Sequence, residues 1–151
     1  MQLKIIQLGK THLKACIELD QKSFQGLWTI SQWERELTDS KRICLGALDN
    51  NSQKLLGLCS SWIVSDEFHI TALAVDPQHF RKGIGTLVMS KLIRTANEKG
   101  ISRIKLEVKD TNEAAKALYK CMKFKIEGYR PNFYKDGSNA LIYIKNLANN
   151  S

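Results

Sequence analysis

Val75-Asp76-Pro77-Gln78-His79-Phe80-Arg81-Lys82-Gly83-Ile84-Gly85-Thr86 carries an apolar strand into a basic turn with two glycines, and the turn opens directly onto a helix. That order of elements builds an anion site. Glycine lets backbone amides approach a phosphate closely, the first turn of the helix offers unpaired N–H donors, and the helix dipole adds partial positive charge at the same place. Arg81 and Lys82 add full charges. The same spacing also serves ordinary strand-to-helix turns, so the turn alone does not decide the ligand. It does narrow the choice: Val88 stands where a dinucleotide fingerprint needs its third glycine, and no Gly-Lys-Ser/Thr follows to make a nucleoside-triphosphate loop.

Outward from this turn the chain alternates between strand and helix patterns. Residues 3–8 read as a first strand, and Thr11 is expected to cap a helix running toward Phe24. Ser31-Gln32-Trp33-Glu34 has capping-box spacing, so a second short helix is expected from there to about Ser40. Residues 43–48 and 55–64 flank Asp49-Asn50-Asn51-Ser52 and predict an antiparallel hairpin, which 67–75 extends. Leu87, Val88, Leu92 and Ile93 form a helical stripe that Gly100 ends, and residues 103–109 alternate strictly. Asp110-Thr111-Asn112-Glu113 starts another helix, and 124–129 and 140–144 supply the last strands around a loop with Pro131 and Asp136-Gly137. The expectation is an α/β fold of the α+β kind, a central mixed sheet flanked by helices, in one domain spanning residues 1–151.

Composition sets the class. With 43% hydrophobic and 25% charged residues the chain can bury a core, which excludes a disordered segment. The longest uncharged runs are too short to cross a bilayer, and the first residues lack signal-peptide character, so a cytoplasmic protein that does not engage membranes is expected. Cys16, Cys44, Cys59 and Cys121 are far apart and form no CxxC pair. Neither a metal site nor a redox motif is expected, and three of the four lie in apolar segments where small core residues belong. The net charge of +8 serves general solubility or an acidic partner, a nucleic acid, a ribosome surface or a polyphosphate cofactor, and charge alone does not choose among them. The basic residues are spread along the chain without a nucleic-acid motif, so direct nucleic-acid binding is not required.

In Arg103-Ile104-Lys105-Leu106-Glu107-Val108-Lys109 the apolar residues share one face of a strand and Glu107 lies on the other with two lysines. Such a charged face ordinarily just meets water. The neighbouring residues give it another meaning. Leu106-Glu107-Val108, Thr111-Asn112 and the run from Ala114 to Tyr119 resemble the Leu-Glu-Val-Arg-x-Ser-Asn-x-x-Ala-x-x-Leu-Tyr block of the RimI branch of the GNAT acetyltransferases, whose members acetylate protein N-termini. The glycine turn is similar to that family's Gln/Arg-x-x-Gly-x-Gly/Ala pyrophosphate loop, with Phe80 at the Gln/Arg position. Gly128-Tyr129-Arg130-Pro131-Asn132-Phe133-Tyr134 resembles its Arg-Arg-x-Tyr-Tyr loop, and the segment from Phe24 to Trp28 its early aromatic segment. The chain departs from the pattern at Lys109 for arginine, Thr111 for serine, Met122-Lys123-Phe124 for Leu-Gly-Phe and Asn139 for aspartate.

The resemblance implies the GNAT fold, acetyl-CoA as acetyl donor without a metal, and a set of roles. Acetyl transfer needs a neutral amine, a stabilised oxyanion and a proton for the departing thiolate. Glu107 would serve as base through water, and Tyr119 as the acid at the coenzyme sulfur. Backbone groups of Leu73, Ala74 and Val75 would pair with the pantetheine arm, and Arg81, Lys82, Gly83, Ile84, Gly85 and Thr86 would hold the pyrophosphate. Asn112 would touch the coenzyme, or cap its helix, or both. Glu67 and His69 are candidates for a substrate contact or second base. Trp28, Phe133 and Tyr134, aromatic residues on two loops, are candidates for the acceptor wall. The expected acceptor is a protein N-terminus, foremost the N-terminal alanine of small-subunit ribosomal protein eighteen. Acetylation of lysine, a polyamine or another small amine is the alternative, and a non-catalytic acyl-CoA or RNA-binding module is a third reading.

Overall fold

A computed structural model describes residues 2–147. Seven strands form one sheet in the order β1-β2-β3-β4-β5-β7-β6. They are β1 Leu3–Gln7, β2 Arg42–Asp49, β3 Leu55–Val64, β4 Glu67–Val75, β5 Arg103–Lys109, β6 Lys125–Arg130 and β7 Ala140–Asn146. Four helices cover it: α1 Leu13–Phe24, α2 Ile30–Thr38, α3 Ile84–Glu98 and α4 Glu113–Cys121. All neighbours are antiparallel except β4 and β5, which α3 connects as a parallel crossover. The mixed sheet with helices on its faces is the one the element order predicts.

The local chemistry differs from expectation at two helix starts. Thr11 lies inside a 3-10 turn, Lys10–His12, and the nearby donor is satisfied by the ring of His12, whose Nδ1 accepts from the Gly9 amide at 3.0 Å. The capping box of α2 is formed by Thr29 and Gln32 instead of Ser31 and Glu34. Gln32 N donates to Thr29 Oγ1 at 3.2 Å and Thr29 N to Gln32 Oε1 at 2.8 Å. Any serine or threonine followed at the third position by Glu or Gln satisfies the sequence pattern, and the extended backbone at Thr29 selects which pair closes.

Two apolar clusters divide the molecule along the sheet. One joins α3 and α4 to the sheet through Ile84, Val88, Met89, Leu92, Ile104, Leu106, Val108 and Tyr119. The other joins α1 and α2 to the opposite face through Cys16, Leu19, Trp33, Cys44 and Leu58. Each fully buried aliphatic side chain adds about 1.5–3 kcal/mol over exposure, so these faces fix the helices to the sheet. Cys16, Cys44 and Cys59 lie within the clusters and Cys121 is exposed. Burial pushes the Cys59 thiol up to about 12, far from a reactive thiolate.

One irregularity shapes the centre of the sheet. β4 and β5 pair only at Glu67–Arg103, Phe68–Ile104 and His69–Lys105, and beyond His69 the two strands separate. A bulge in β4 at Thr71, where the register with β3 shifts between Ser60 and Ser61, marks the same point. Asp76 N donates to Leu56 O at 2.8 Å, which fixes the alternation along β4. Ala72 and Ala74 bond to β3, whereas Leu73 and Val75 turn their backbone groups toward the opening.

Candidate active site

The opening between β4 and β5 is the feature around which the expected residues gather. Ser23 on α1 donates its hydroxyl to the Val75 carbonyl at 3.1 Å. The Leu73 amide and carbonyl and the Val75 amide remain as a strand edge onto which an extended polar chain can add.

Beyond Val75 the chain enters the glycine turn. Asp76, almost fully buried, accepts from Gln78 N at 3.0 Å and lies 3.5 Å from Lys22 Nζ, which fixes the 3-10 turn Pro77–His79. Arg81 and Gly83 both adopt left-handed backbone, with φ of 65° and 78°. Gly83 is the residue before α3, no side chain caps its amides, and a Cβ there would meet nothing within 4 Å. The amides of Ile84, Gly85 and Thr86 thus begin a helix with open space in front of them, the arrangement an anion needs. Gly85 lies against Leu118 of α4 and Val75 of β4, so the turn closes one end of the opening. Phe80, at 59% exposure, points into solvent. Asn112 caps α4, its Oδ1 accepting from Ala115 N at 3.1 Å.

Tyr119 and Glu107 lie on opposite faces of the sheet. Tyr119 belongs to the α3–α4 cluster, with its ring tilted against Phe124 at 5.5 Å and Tyr143 at 5.8 Å. Burial holds its phenol well above the usual 10.0, and the Cys59 thiol on β3 adds to that shift. The group therefore keeps its proton throughout the neutral range. Glu107 alternates with Leu106 and Val108 and so faces the other side, into a cleft of about 600 Å³.

That cleft holds Trp28 from the loop before α2, Gln32, Arg35 and Glu36 from α2, Arg42 and Trp62 from β2 and β3, and His69 to Thr71 from β4. Lys105, Leu106 and Glu107 of β5 and Tyr134 of the β6–β7 loop complete it. Three acidic groups are nearby and only one is available. Glu36 is buried, with one oxygen on Arg42 and the other accepting from Ser60 Oγ at 2.6 Å. Glu67 is taken by Arg103 and by His69 Nε2 at 3.0 Å, and it does not line the cleft. These contacts hold its carboxyl below the ordinary range, the His69 hydrogen bond contributing most. Glu107 has one ion pair among the described residues, Arg130 Nε to Oε1 at 3.4 Å, with both side chains partly exposed. An exposed pair of this kind is worth about 0–1 kcal/mol, so water or an ammonium group can replace Arg130 readily.

The aromatic candidates separate. Trp28 and Tyr134 line the cleft, whereas Phe133 lies outside it, 48% exposed, edge-on to Tyr134 at 5.1 Å and beneath the Arg130 guanidinium at 5.7 Å. Asn139 holds the loop that carries both, its Oδ1 accepting from Asn132 N at 3.0 Å. Lys109 ties the same loop to β5 through Asp136 at 2.6 Å. The sequence left Glu36, Arg42 and Trp62 unnoticed. A signal was present for one of them: Glu36 follows Trp33 by three residues and so falls on the buried stripe of α2, where a charged residue needs partners.

The Acetyltransferase (GNAT) family matches residues 13–124. The chain belongs to the GNAT acetyltransferase family. Among relatives of this acetyltransferase, a Bacillus subtilis protein provisionally named ribosomal protein bS18-alanine N-acetyltransferase is 31% identical over 126 residues, covering 83% of each chain. The Escherichia coli ribosomal protein bS18-alanine N-acetyltransferase is 28% identical over 130 residues, covering 86% of each. The crystal structure of the Escherichia coli enzyme superposes with a TM-score of 0.88 at 26% identity, covering 97% of this chain and 94% of that one. This GNAT protein is accordingly an acetyl-CoA-dependent N-acetyltransferase. No helix among the described residues is long and apolar enough to cross a membrane.

Proposed function

We propose that this enzyme acetylates the N-terminal α-amine of a protein, with the N-terminal alanine of ribosomal protein bS18 as its acceptor. The names of its relatives support the acceptor. The observation that carries the chemistry is Glu107: of the three acidic groups near the cleft, it alone faces the open space without a buried partner.

Acetyl-CoA supplies the acyl group as a thioester along the exposed edge of β4, with its pyrophosphate on the amides that begin α3. The peptide enters from the other face, through the cleft between Trp28 and Tyr134. Glu107 accepts the α-ammonium proton through water, a backbone N–H of the β4 edge steadies the developing oxyanion, and Tyr119 gives its proton to the departing thiolate. Base and acid act on one tetrahedral intermediate, and the parting of β4 and β5 beyond His69 supports this reading because groups on the two faces of the sheet can meet there. An α-amine has a pKa near 7.7–8.0 against about 10.4 for lysine, so neutralising it near pH 7 costs roughly 3.5 kcal/mol less. A single carboxylate reached through water is adequate for the former.

The test compares a peptide with a free N-terminal alanine, its N-blocked lysine-containing counterpart and a polyamine between about pH 6 and pH 9, where the α-amine titrates. Preference for the free alanine peptide is expected, and preference for either of the others would overturn the N-α reading. Glu107→Gln should fold and lose most turnover at neutral pH, recovering part of it as the free amine accumulates. A pH profile matching wild type would remove Glu107 from the reaction.

A further inference from the structure

The loop between α1 and α2 that brings Trp28 to the acceptor cleft is held from beneath by one buried carboxylate. Asp20 is 2% exposed, and the apolar cluster of α1 and α2 surrounds it. Its Oδ1 accepts from Leu27 N at 2.7 Å, and its Oδ2 accepts from Trp28 N at 3.2 Å and from the Trp33 indole Nε1 at 2.7 Å. Gln25 and Gly26 both adopt left-handed backbone, with φ of 59° and 99°, which turns the chain back so that the two following amides face Asp20. The Trp28 ring then meets the Trp33 ring edge-on at 4.7 Å.

Each of these contacts ends at the same point. Trp33 is itself buried at 1% exposure and packed in that cluster, so its indole anchors the carboxylate, the carboxylate holds two amides, and the second amide belongs to the residue that walls the cleft. A buried carboxylate with three N–H donors is also costly to disturb, since removing an acceptor leaves buried donors unpaired. A cap or a turn would have satisfied α1 and α2 without it: α2 already has its own capping box at Thr29.

We infer that Asp20 is a positioning residue for acceptor recognition, holding Trp28 preset against the incoming peptide N-terminus so that the loop need not be ordered when the acceptor binds. This rests on the assignment of Trp28 to the acceptor wall. A preset loop favours binding by removing an ordering cost from the association step, so its loss appears in acceptor KM more than in kcat.

The experiment uses the full chain, an alanine-initiated peptide and acetyl-CoA, with Asp20→Asn, Trp28→Ala and the double variant. Asp20→Asn keeps the shape and places an N–H₂ group against N–H donors. The expected result is a peptide KM raised about tenfold or more, with kcat and the calorimetric acetyl-CoA Kd within about twofold of wild type. Trp28→Ala should raise the peptide KM comparably, and the double variant should be no worse than Trp28→Ala alone, because Asp20 acts through Trp28. Should Asp20→Asn fail to fold, Trp33→Phe removes one donor and keeps both loop amides bonded. A smaller rise in KM, also absent from the Trp28→Ala background, is then expected. Unchanged peptide KM in the folded variants overturns the inference. Additive effects in the double variant overturn the link through Trp28 while leaving the acceptor wall intact, and an unaltered KM in Trp28→Ala alone removes both.

Discussion

Gly57 on β3 lies so close to Ile84, the first residue of α3, that a Cβ at position 57 would stand 2.6 Å from the Ile84 Cγ2 and 3.3 Å from the Ala74 carbonyl. The helix that presents its amides to the opening is set against the sheet at this contact. Gly57→Ala is therefore expected to lower stability by about 1–3 kcal/mol, the usual cost of overpacking a core. Urea unfolding measures it, and a variant as stable as wild type would show that α3 can shift without cost.

The left-handed Gly83 and the space before it lead to a prediction for the donor. Gly83→Val strains the backbone by about 1–2 kcal/mol and puts a branched side chain where the pyrophosphate is expected. Coenzyme A affinity should fall about tenfold or more, roughly 1.4 kcal/mol, in a variant that still folds. Titration calorimetry reads this directly, and unchanged affinity would remove the turn from the donor site.

Tyr119→Phe keeps the ring against Phe124 and Tyr143 and deletes the proton. A fall in kcat of about a hundredfold is expected with coenzyme affinity little changed, as for loss of a general acid. Because burial raises the phenol above 10.0, Tyr119 should contribute no loss of wild-type turnover on the alkaline side below that value. Wild-type kcat in the variant would show that the hydroxyl is dispensable.

Glu67 makes stability depend on acid. Its folded carboxyl is held below the ordinary 4.5, first by the His69 hydrogen bond and then by Arg103, against the opposing effect of burial. A depressed folded value stabilises the protein above the unfolded value, and this contribution is lost as pH falls through the folded one. Thermal midpoints should decline below about pH 4.5, and Glu67→Gln should decline less over the same range. Equal acid sensitivity in the two proteins would assign the effect to other groups.

Much of the architecture was legible in the order of residues. Strict alternation set β5 at Arg103–Lys109, and capping chemistry started α4 beside Asn112, because these patterns depend on neighbours a few positions away. The turn at Gly83 was legible for the same reason: a left-handed residue before a helix is a local demand that glycine meets. Tertiary structure alone decided that β4 and β5 part beyond His69, since a sheet's splay depends on which strands meet and where a bulge interrupts them. It also decided that Glu107 has only a partly exposed ion pair with Arg130 while Glu36 and Glu67 are held by several donors, and that Trp28 and Tyr134 face the cleft while Phe133 turns outside it. A carboxylate's availability is set partly by near neighbours, Arg42 for Glu36 and His69 for Glu67, and partly by donors brought from distant elements, Ser60 for the first and Arg103 for the second, meetings that no spacing along the chain encodes.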